Sequence, residues 1–543
     1  MPTLEMTDTQ SDDRKLDVDY IALATDLLKE GEPRKALEVG MELLMVPESQ
    51  FDAWKLIGLS FLELNAVDQA IEALKKAIKL APNDVDLLIA LGRAFRAGKQ
   101  IPASLAMHRK AIGLDENNLV AMKEMHESIL SLGRLPTKEL QHEVKSCTSF
   151  YEESLILDPT RIDLYYSLSH LYIMQGRSLD SVKLIGALRE ILPECNTAKY
   201  NHAMAYKDAG LFNDAISLLE SISVPSNFDL TAKINHSLGH AYLQKLEFAK
   251  GWDLYESRWQ DEHFPSKNLQ AMNDQLPRWD GQRVGKLLVW AEQGIGDEIM
   301  FSSVLEDACS FCELLTVVCD GRLIQIYERS FSGNIKFIDK CSKPITGKFD
   351  AQIPIGSLPM FFRRNLESFA RYKYGYFRPN EVVVKKIRDN ISCPKNFEII
   401  GLSWFSNSIT HARLIRNCTL VDLLKKIGTK DRYFVCLQYG EVEKEITEAR
   451  RLLGVQVINP EDIDQRQDLD NLANLMSACD HVVSVDNTTV HLAGALGVPT
   501  TALIPSVADW RWGFKDLNTY WYPSVRLHRQ SSPGVWPTLA LRQ

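Results

Sequence analysis

No apolar run in this sequence approaches the roughly 20 residues needed to cross a bilayer, so no membrane span is expected. The opening stretch "MPTLEMTDTQSDDRKLD" lacks the apolar core of an export leader. It is polar and acidic, and residues 1–16 are expected to form a disordered tail. Excess positive charge is missing too. A net charge of -9 and a pI near 5.8 argue against a general nucleic-acid binder. Paired cysteines are scarce. The 10 cysteines are scattered, and Cys319, Cys436 and Cys479 lie in apolar runs, as buried thiols of a reducing cytosol would. Cys309 and Cys312 form one C-x-x-C, placed within a predicted helix and without a second Cys or His pair at zinc-ligand spacing. A cytoplasmic protein with no metal site is expected.

What is present is too long for one core: 543 residues fit three or four domain-sized units, or an array plus a domain pair. In the first half, Trp54, Ile57, Gly58, Phe61, Ala70, Leu74, Ala77 and Pro82 stand at a spacing that resembles the tetratricopeptide repeat, a helix pair of about 34 residues. Gly58 and Ala70 are small where the two helices pack closely, and Pro82 ends the second helix. The spacing recurs upstream at Tyr20, Leu23, Ala24, Leu27 and Ala36, and downstream at Leu88, Leu91, Gly92, Phe95, Ser104 and Ala111. A weaker copy interrupted by "LPTKELQHE" follows, then copies around Tyr165, His202 and Leu238, about seven units in all. Such a solenoid, residues 17–245, offers a concave surface for a protein partner, against a reading as a spacer or oligomerisation arm. His236 and His240 share an i, i+4 face with no third ligand in view, and are taken as helix-face residues.

From Gly251 the pattern changes. Trp252, Tyr255 and Trp259 form a helical stripe expected to plaster a capping helix onto the next domain, with residues 246–285 as cap and connector. Beyond Lys286, apolar runs alternate with helical patterns: Leu287–Val289, Leu314–Cys319 and Ile335–Ile338, then Ile399–Trp404, Tyr433–Leu437, Val455–Ile458, Val482–Val485 and Thr501–Ile504. That alternation predicts parallel sheets built from βα units. Residues 350–396 read as irregular and separate two doubly wound halves, 286–395 and 396–543. A cleft is expected where their strand C-termini face each other.

The richest element is "DHVVSVDNTTVHLAGALGVPTTALIP". A strand ends at Asp486 and a helix starts near Thr488, displaying Asp486, Asn487, Thr488, Thr489 and His491 at a helix N-terminus. Free N–H groups there attract phosphate. Asp486 can accept from sugar hydroxyls, or Asp486 or Asn487 can simply cap the helix. "GLSWFSNSITHARLIRNCT" supplies Ser403, Ser406, Asn407, Arg413, Arg416 and Asn417 after another strand, with arginines suited to a diphosphate. "LQYGE" adds Gln438, Tyr439 and Glu441. Gly294 and Gly296 of "AEQGIGDEIMF" lead into a helix opened by Asp297; alone they suit a phosphate loop, a catalytic loop or a tight turn.

These blocks resemble the heptosyltransferase-related glycosyltransferases of the GT-B fold, in which two Rossmann-like domains face a cleft. Bacterial proteins joining tetratricopeptide repeats to such a domain are more similar still, sharing "YESRW", "EQGIGDEIMF", the Asp486 block and "DWRWG" (Asp509 to Gly513) over about residues 250–540. The resemblance implies metal-independent transfer from a nucleotide-sugar, with no cofactor. Asp297 would act as base on an acceptor hydroxyl, and Asp486, Asn487, Thr488 and His491 would hold the donor's sugar and diphosphate. Gly294, Gly296, Ser403, Ser406, Arg416, Asn417, Gln438 and Thr489 join the donor set. The family's glycine is replaced by Thr488, which leaves the sugar open, and its loop lysine has no match, so Arg413 or Arg416 must supply the charge. Some relatives with this layout modify flagellin Ser or Thr, which makes flagellin docked by the repeats the leading acceptor. A lipopolysaccharide or other glycan acceptor is the alternative, as is a repeat scaffold with a degenerate transferase domain.

Overall fold

Helix pairs dominate the first half because small residues sit where partners cross. A computed structural model describes residues 10–132, 141–223, 228–261, 264, 276–342, 347–406 and 416–539. Seven helix pairs run from Gln10–Lys29 to Phe248–Tyr255 among these residues. The first starts inside the stretch expected to be a tail. The close crossings are as anticipated: a methyl group on Gly58 would fall 2.6 Å from Leu74 Cδ2, and one on Gly92 would fall 2.3 Å from the His108 ring. Part of "LPTKELQHE" lies outside the described residues.

The chain divides into two compact units, Met1–Arg161 and Ile162–Gln543. In the second, three helix pairs precede two sheets. The first sheet comprises β1 (Val284–Trp290), β2 (Cys312–Cys319), β3 (Ile335–Asp339) and β4 (Ala351–Pro354), in the order β3-β2-β1-β4. The second comprises β5 (Glu398–Ser403), β6 (Arg432–Cys436), β7 (Val457–Ile458), β8 (His481–Val485), β9 (Thr500–Ile504) and β10 (Val525–Arg529), in the order β10-β9-β8-β5-β6-β7. Every pairing is parallel. This is the expected pair of α/β halves.

Three further details depart from expectation. β4 lies in the interval taken as irregular, where it pairs with β1 from Leu287↔Ala351 to Trp290↔Pro354. β10 adds an edge strand beside β9. Cys309 ends one helix and Cys312 starts β2, so the C-x-x-C straddles a turn rather than lying within a helix.

One continuous core joins the last repeat pair to both sheets. It contains Leu243, Phe248, Trp252 and Tyr255 together with Leu287, Val289, Ile299, Val482, Leu492 and Trp510. The aromatic stripe of the joint is buried as predicted. Trp252 donates to the Arg363 carbonyl at 2.8 Å and packs edge-on against Trp510 at 5.4 Å. Trp259 lies 5.4 Å from Trp290. Between them Arg258, fully buried, makes forked hydrogen bonds to Glu292 at 3.0–3.2 Å and a further one to Ser357 at 2.7 Å. Burial works against both charges, and their pairing in good geometry is what makes it tolerable. No helix among the described residues is long and apolar enough to cross a membrane.

Candidate functional site

The loop after β1 is anchored residue by residue. Glu292 takes the Arg258 fork, and Gln293 donates to the Tyr255 hydroxyl at 2.6 Å. Gly294 is the N-cap position of the helix Ile295–Ser302, with φ -70 and ψ 162, a backbone any residue adopts. The two glycines therefore do not serve a left-handed turn. Gly296 is small for another reason: the His491 ring lies against it. Asp297 follows in the first helical turn, and Glu298, buried, accepts from the Asp320 N–H at 2.9 Å. Burial pushes the Glu298 carboxyl up to about 7, with the Asp320 N–H opposing it.

The facing element starts at the end of β8. Asn487 caps the helix Thr488–Leu496 by accepting from the Thr489 N–H at 2.9 Å. Its amide nitrogen donates to Ser403 Oγ at 2.8 Å and to the Phe405 carbonyl at 3.1 Å. The helix stops at Gly497, whose φ of 76 is left-handed and favours glycine. Within it, Gly494 makes room for Tyr522, whose hydroxyl meets His491 Nδ1 at 2.9 Å. The His491 ring stacks on Trp512 at 5.1 Å. Burial holds the imidazole down to about 4, against the pull of the Asp297 carboxylate.

Ser403, Gln438, Asn487 and Thr489 form one buried network at the ends of β5, β6 and β8. Gln438 Oε1 accepts from Ser403 Oγ at 3.0 Å and from the Trp404 and Phe405 N–H groups at 3.0 and 2.9 Å. Thr489 Oγ1 donates to Ser403 Oγ at 3.3 Å. Their polar atoms tie strand ends to the helix start. Next to them, Asn417 exchanges hydrogen bonds with the Ser406 backbone at 2.9 and 3.0 Å, and Arg416 reaches Ser406 Oγ at 3.2 Å. Arg416 also lies 3.6 Å from Asp486. Burial pushes the Asp486 carboxyl above its ordinary value, and the Arg416 guanidinium opposes this. Thr488 is half-buried at the first helical position. Asn407 and Arg413 lie outside the described residues.

All these groups stand at C-terminal strand ends, where open parallel sheets present ligand sites. The helices Ile295–Ser302 and Thr488–Leu496 touch, so Asp297 of one half and His491 of the other share one region. Two further residues complete it. In the loop after β9, Arg511 donates from Nε to Asp297 Oδ1 at 2.7 Å, and from Nη1 to Asp509 Oδ1 at 2.5 Å. Both belong to "DWRWG", a stretch to which the sequence alone assigns no role. A charged residue between two tryptophans just after a strand end was the signal available. Asp509 also lines a cavity of about 200 Å³ between the last repeats and this loop, together with Lys207, His240, Gln244 and Trp510. The His236 and His240 rings are 4.4 Å apart.

A helical-repeat array followed by two parallel-sheet halves that meet at such a site defines a repeat-bearing α/β protein. Residues 422–513 match the family model "Glycosyltransferase family 9 (heptosyltransferase)", and residues 21–85 and 55–118 match "Tetratricopeptide repeat". The first half of the chain is thus similar to tetratricopeptide repeats, and part of its second sheet half is similar to glycosyltransferase family 9. It is 26% identical to Protein FlbA of Caulobacter vibrioides over 96% of its own length and 88% of that protein's. It is 23% identical to Superkiller protein 3 of Schizosaccharomyces pombe over 48% of its own length and 17% of that protein's. Among solved structures, a glycosyl transferase family 9 protein of Veillonella parvula aligns over 46% of this chain and 87% of its own, at 14% identity and a TM-score of 0.34. A tetratricopeptide repeat protein of Parabacteroides merdae aligns over 47% and 96%, at 11% identity and a TM-score of 0.36.

Proposed function

We propose that this protein transfers a sugar from a nucleotide-sugar to a hydroxyl of a protein acceptor, flagellin Ser or Thr first, with the repeats docking the acceptor in the cytoplasm. The observation that carries this is the packing of the helix that holds Asp297 in its first turn against the helix Thr488–Leu496, which follows the Asp486–Arg416 pair, at the strand ends of two parallel sheets. The glycosyltransferase family 9 match supports it.

In this reading, Asp297 takes the proton of the acceptor hydroxyl as that oxygen bonds to the sugar's anomeric carbon. The bond from that carbon to the diphosphate oxygen breaks, and the nucleotide leaves with the electron pair. The N-terminus of the helix Thr488–Leu496 and Arg416 receive its charge in place of a metal ion. Asp486 faces the sugar hydroxyls. Ser403, Gln438, Asn487 and Thr489 act by holding the helix start, since their polar groups bond to one another and to adjacent backbone.

Intact-mass spectrometry of flagellin from cells with and without this gene tests the reading. A sugar-sized mass loss on deletion is expected. Unchanged flagellin, with a glycan altered instead, would shift the acceptor to the glycan class.

A further inference from the structure

We propose that Arg511 and Asp509 are a positioning device for Asp297: Arg511 fixes one carboxylate oxygen so that the other faces the acceptor, and Asp509 balances the charge when the proton arrives. This rests on Asp297 being the base.

The geometry is asymmetric. Arg511 directs both Nε and Nη2 to the same atom, Asp297 Oδ1. Asp297 Oδ2 has no hydrogen-bond partner among the described residues, and the Asp297 side chain keeps 20% exposure. The third contact of the guanidinium goes to Asp509 Oδ1. The guanidinium lies 4.6 Å over the Trp510 ring, and Trp510 packs in turn on Trp252 at 5.4 Å and Tyr255 at 5.8 Å. Arg511 is therefore clamped on a buried aromatic platform. Burial opposes its charge, and the Asp297 and Asp509 carboxylates overcome that and hold it cationic.

Two carboxylates share one cation. With Asp297 ionised, the trio carries one negative charge. When Asp297 accepts a proton, a neutral Asp509–Arg511 pair remains. Without Asp509, the same step would leave a poorly solvated guanidinium unbalanced, which is strongly unfavourable. The other titratable groups around Asp297 are neutral or already paired. His491 faces it from the opposite helix, and burial holds that ring to about 4. Tyr255 and Tyr522 face it from the joint and the C-terminal segment, and burial pushes both phenols up. Glu298, next on its own helix, points to the Asp320 N–H. Arg258 is paired with Glu292 and Arg416 with Asp486.

The test uses the full chain, purified unmodified flagellin and a panel of UDP-, GDP-, ADP- and CMP-sugars, with transfer read by intact mass across the acid limb of the pH–rate profile. Removing the cation in Arg511→Gln makes the carboxylate harder to ionise and moves the acid limb up. Asp509→Asn leaves Arg511 to act on Asp297 alone and moves the limb down. Arg511→Lys keeps the charge but not the forked geometry, so kcat falls about tenfold while the donor KM stays near wild type. Opposite limb shifts are the expected result; a merely structural role would lower activity without them. If Arg511→Gln fails to fold, Asp509→Asn and Arg511→Lys carry the test. Limbs that coincide, or move the same way, while Asp297→Asn is inactive, overturn the device and leave the base in place. Turnover by Asp297→Asn, or no transfer from any donor by the wild type, overturns both.

Discussion

A methyl group on Gly296 would lie 3.0 Å from Cδ2 of His491, so the helices that carry them meet at backbone-to-ring distance. Gly296→Ala asks the imidazole to give by a few tenths of an ångström, whereas Gly296→Val must push the two halves apart. The ring has little freedom, being held by Tyr522 and stacked on Trp512. Gly296→Val is expected to fold yet lose about 100-fold in kcat, since a displacement near 1 Å is enough for that. Gly296→Ala should lose far less. Circular dichroism and steady-state kinetics on both variants check this.

Asp297→Asn removes the proposed proton acceptor with almost no change in shape. Transfer should be abolished while a nucleotide-sugar still raises the melting temperature, because Arg416, Asp486 and the helix start at Thr488 lie on the other sheet. Turnover at the wild-type rate would remove Asp297 from the chemistry.

Truncation separates docking from donor binding. Removing residues 1–161 takes away one compact unit and leaves Ile162–Gln543. That fragment is expected to keep the donor-induced melting shift and to modify flagellin less well, since three of the seven repeat pairs remain. A cut at residue 245 should instead unfold the remainder, because Leu243 belongs to the core shared with Trp252 and both sheets. Thermal melts with and without donor distinguish the two deletions.

His491 sets an acid limit on stability. Its folded-state value of about 4 lies below the ordinary 6.5, so the unfolded chain binds the proton first as pH falls. The stabilisation is complete above about 6.5 and is lost progressively down to about 4, amounting to at most about 3 kcal/mol. His491→Gln should flatten the fall in melting temperature across that interval. An unchanged slope would show that the ring does not titrate there.

The repeats were legible because their signal is local: Gly58 meets Leu74 and Gly92 meets His108 within one helix pair. The β8-to-helix switch at Asp486 was legible for the same reason. β4 was not, because four residues containing Gln352 and Pro354 carry no alternation, and the strand exists by pairing with β1. Asn487 illustrates a second limit. A polar residue at a helix start suits a ligand and a cap equally, and its bond to Ser403 spans 84 residues. Arg511 is further still from Asp297, 214 residues along the chain, so no local pattern announces their pairing.

Glu292 and Gln293 hold the end of the repeat array through Arg258 and Tyr255, and Asp297 follows within one turn of helix. The last repeat pair and the carboxylate thus share a datum, set by contacts between side chains. An acceptor gripped by the last repeats would meet Asp297 at a fixed height. Which hydroxyl is chosen would then be a matter of measured distance along the acceptor as much as of the sequence around it.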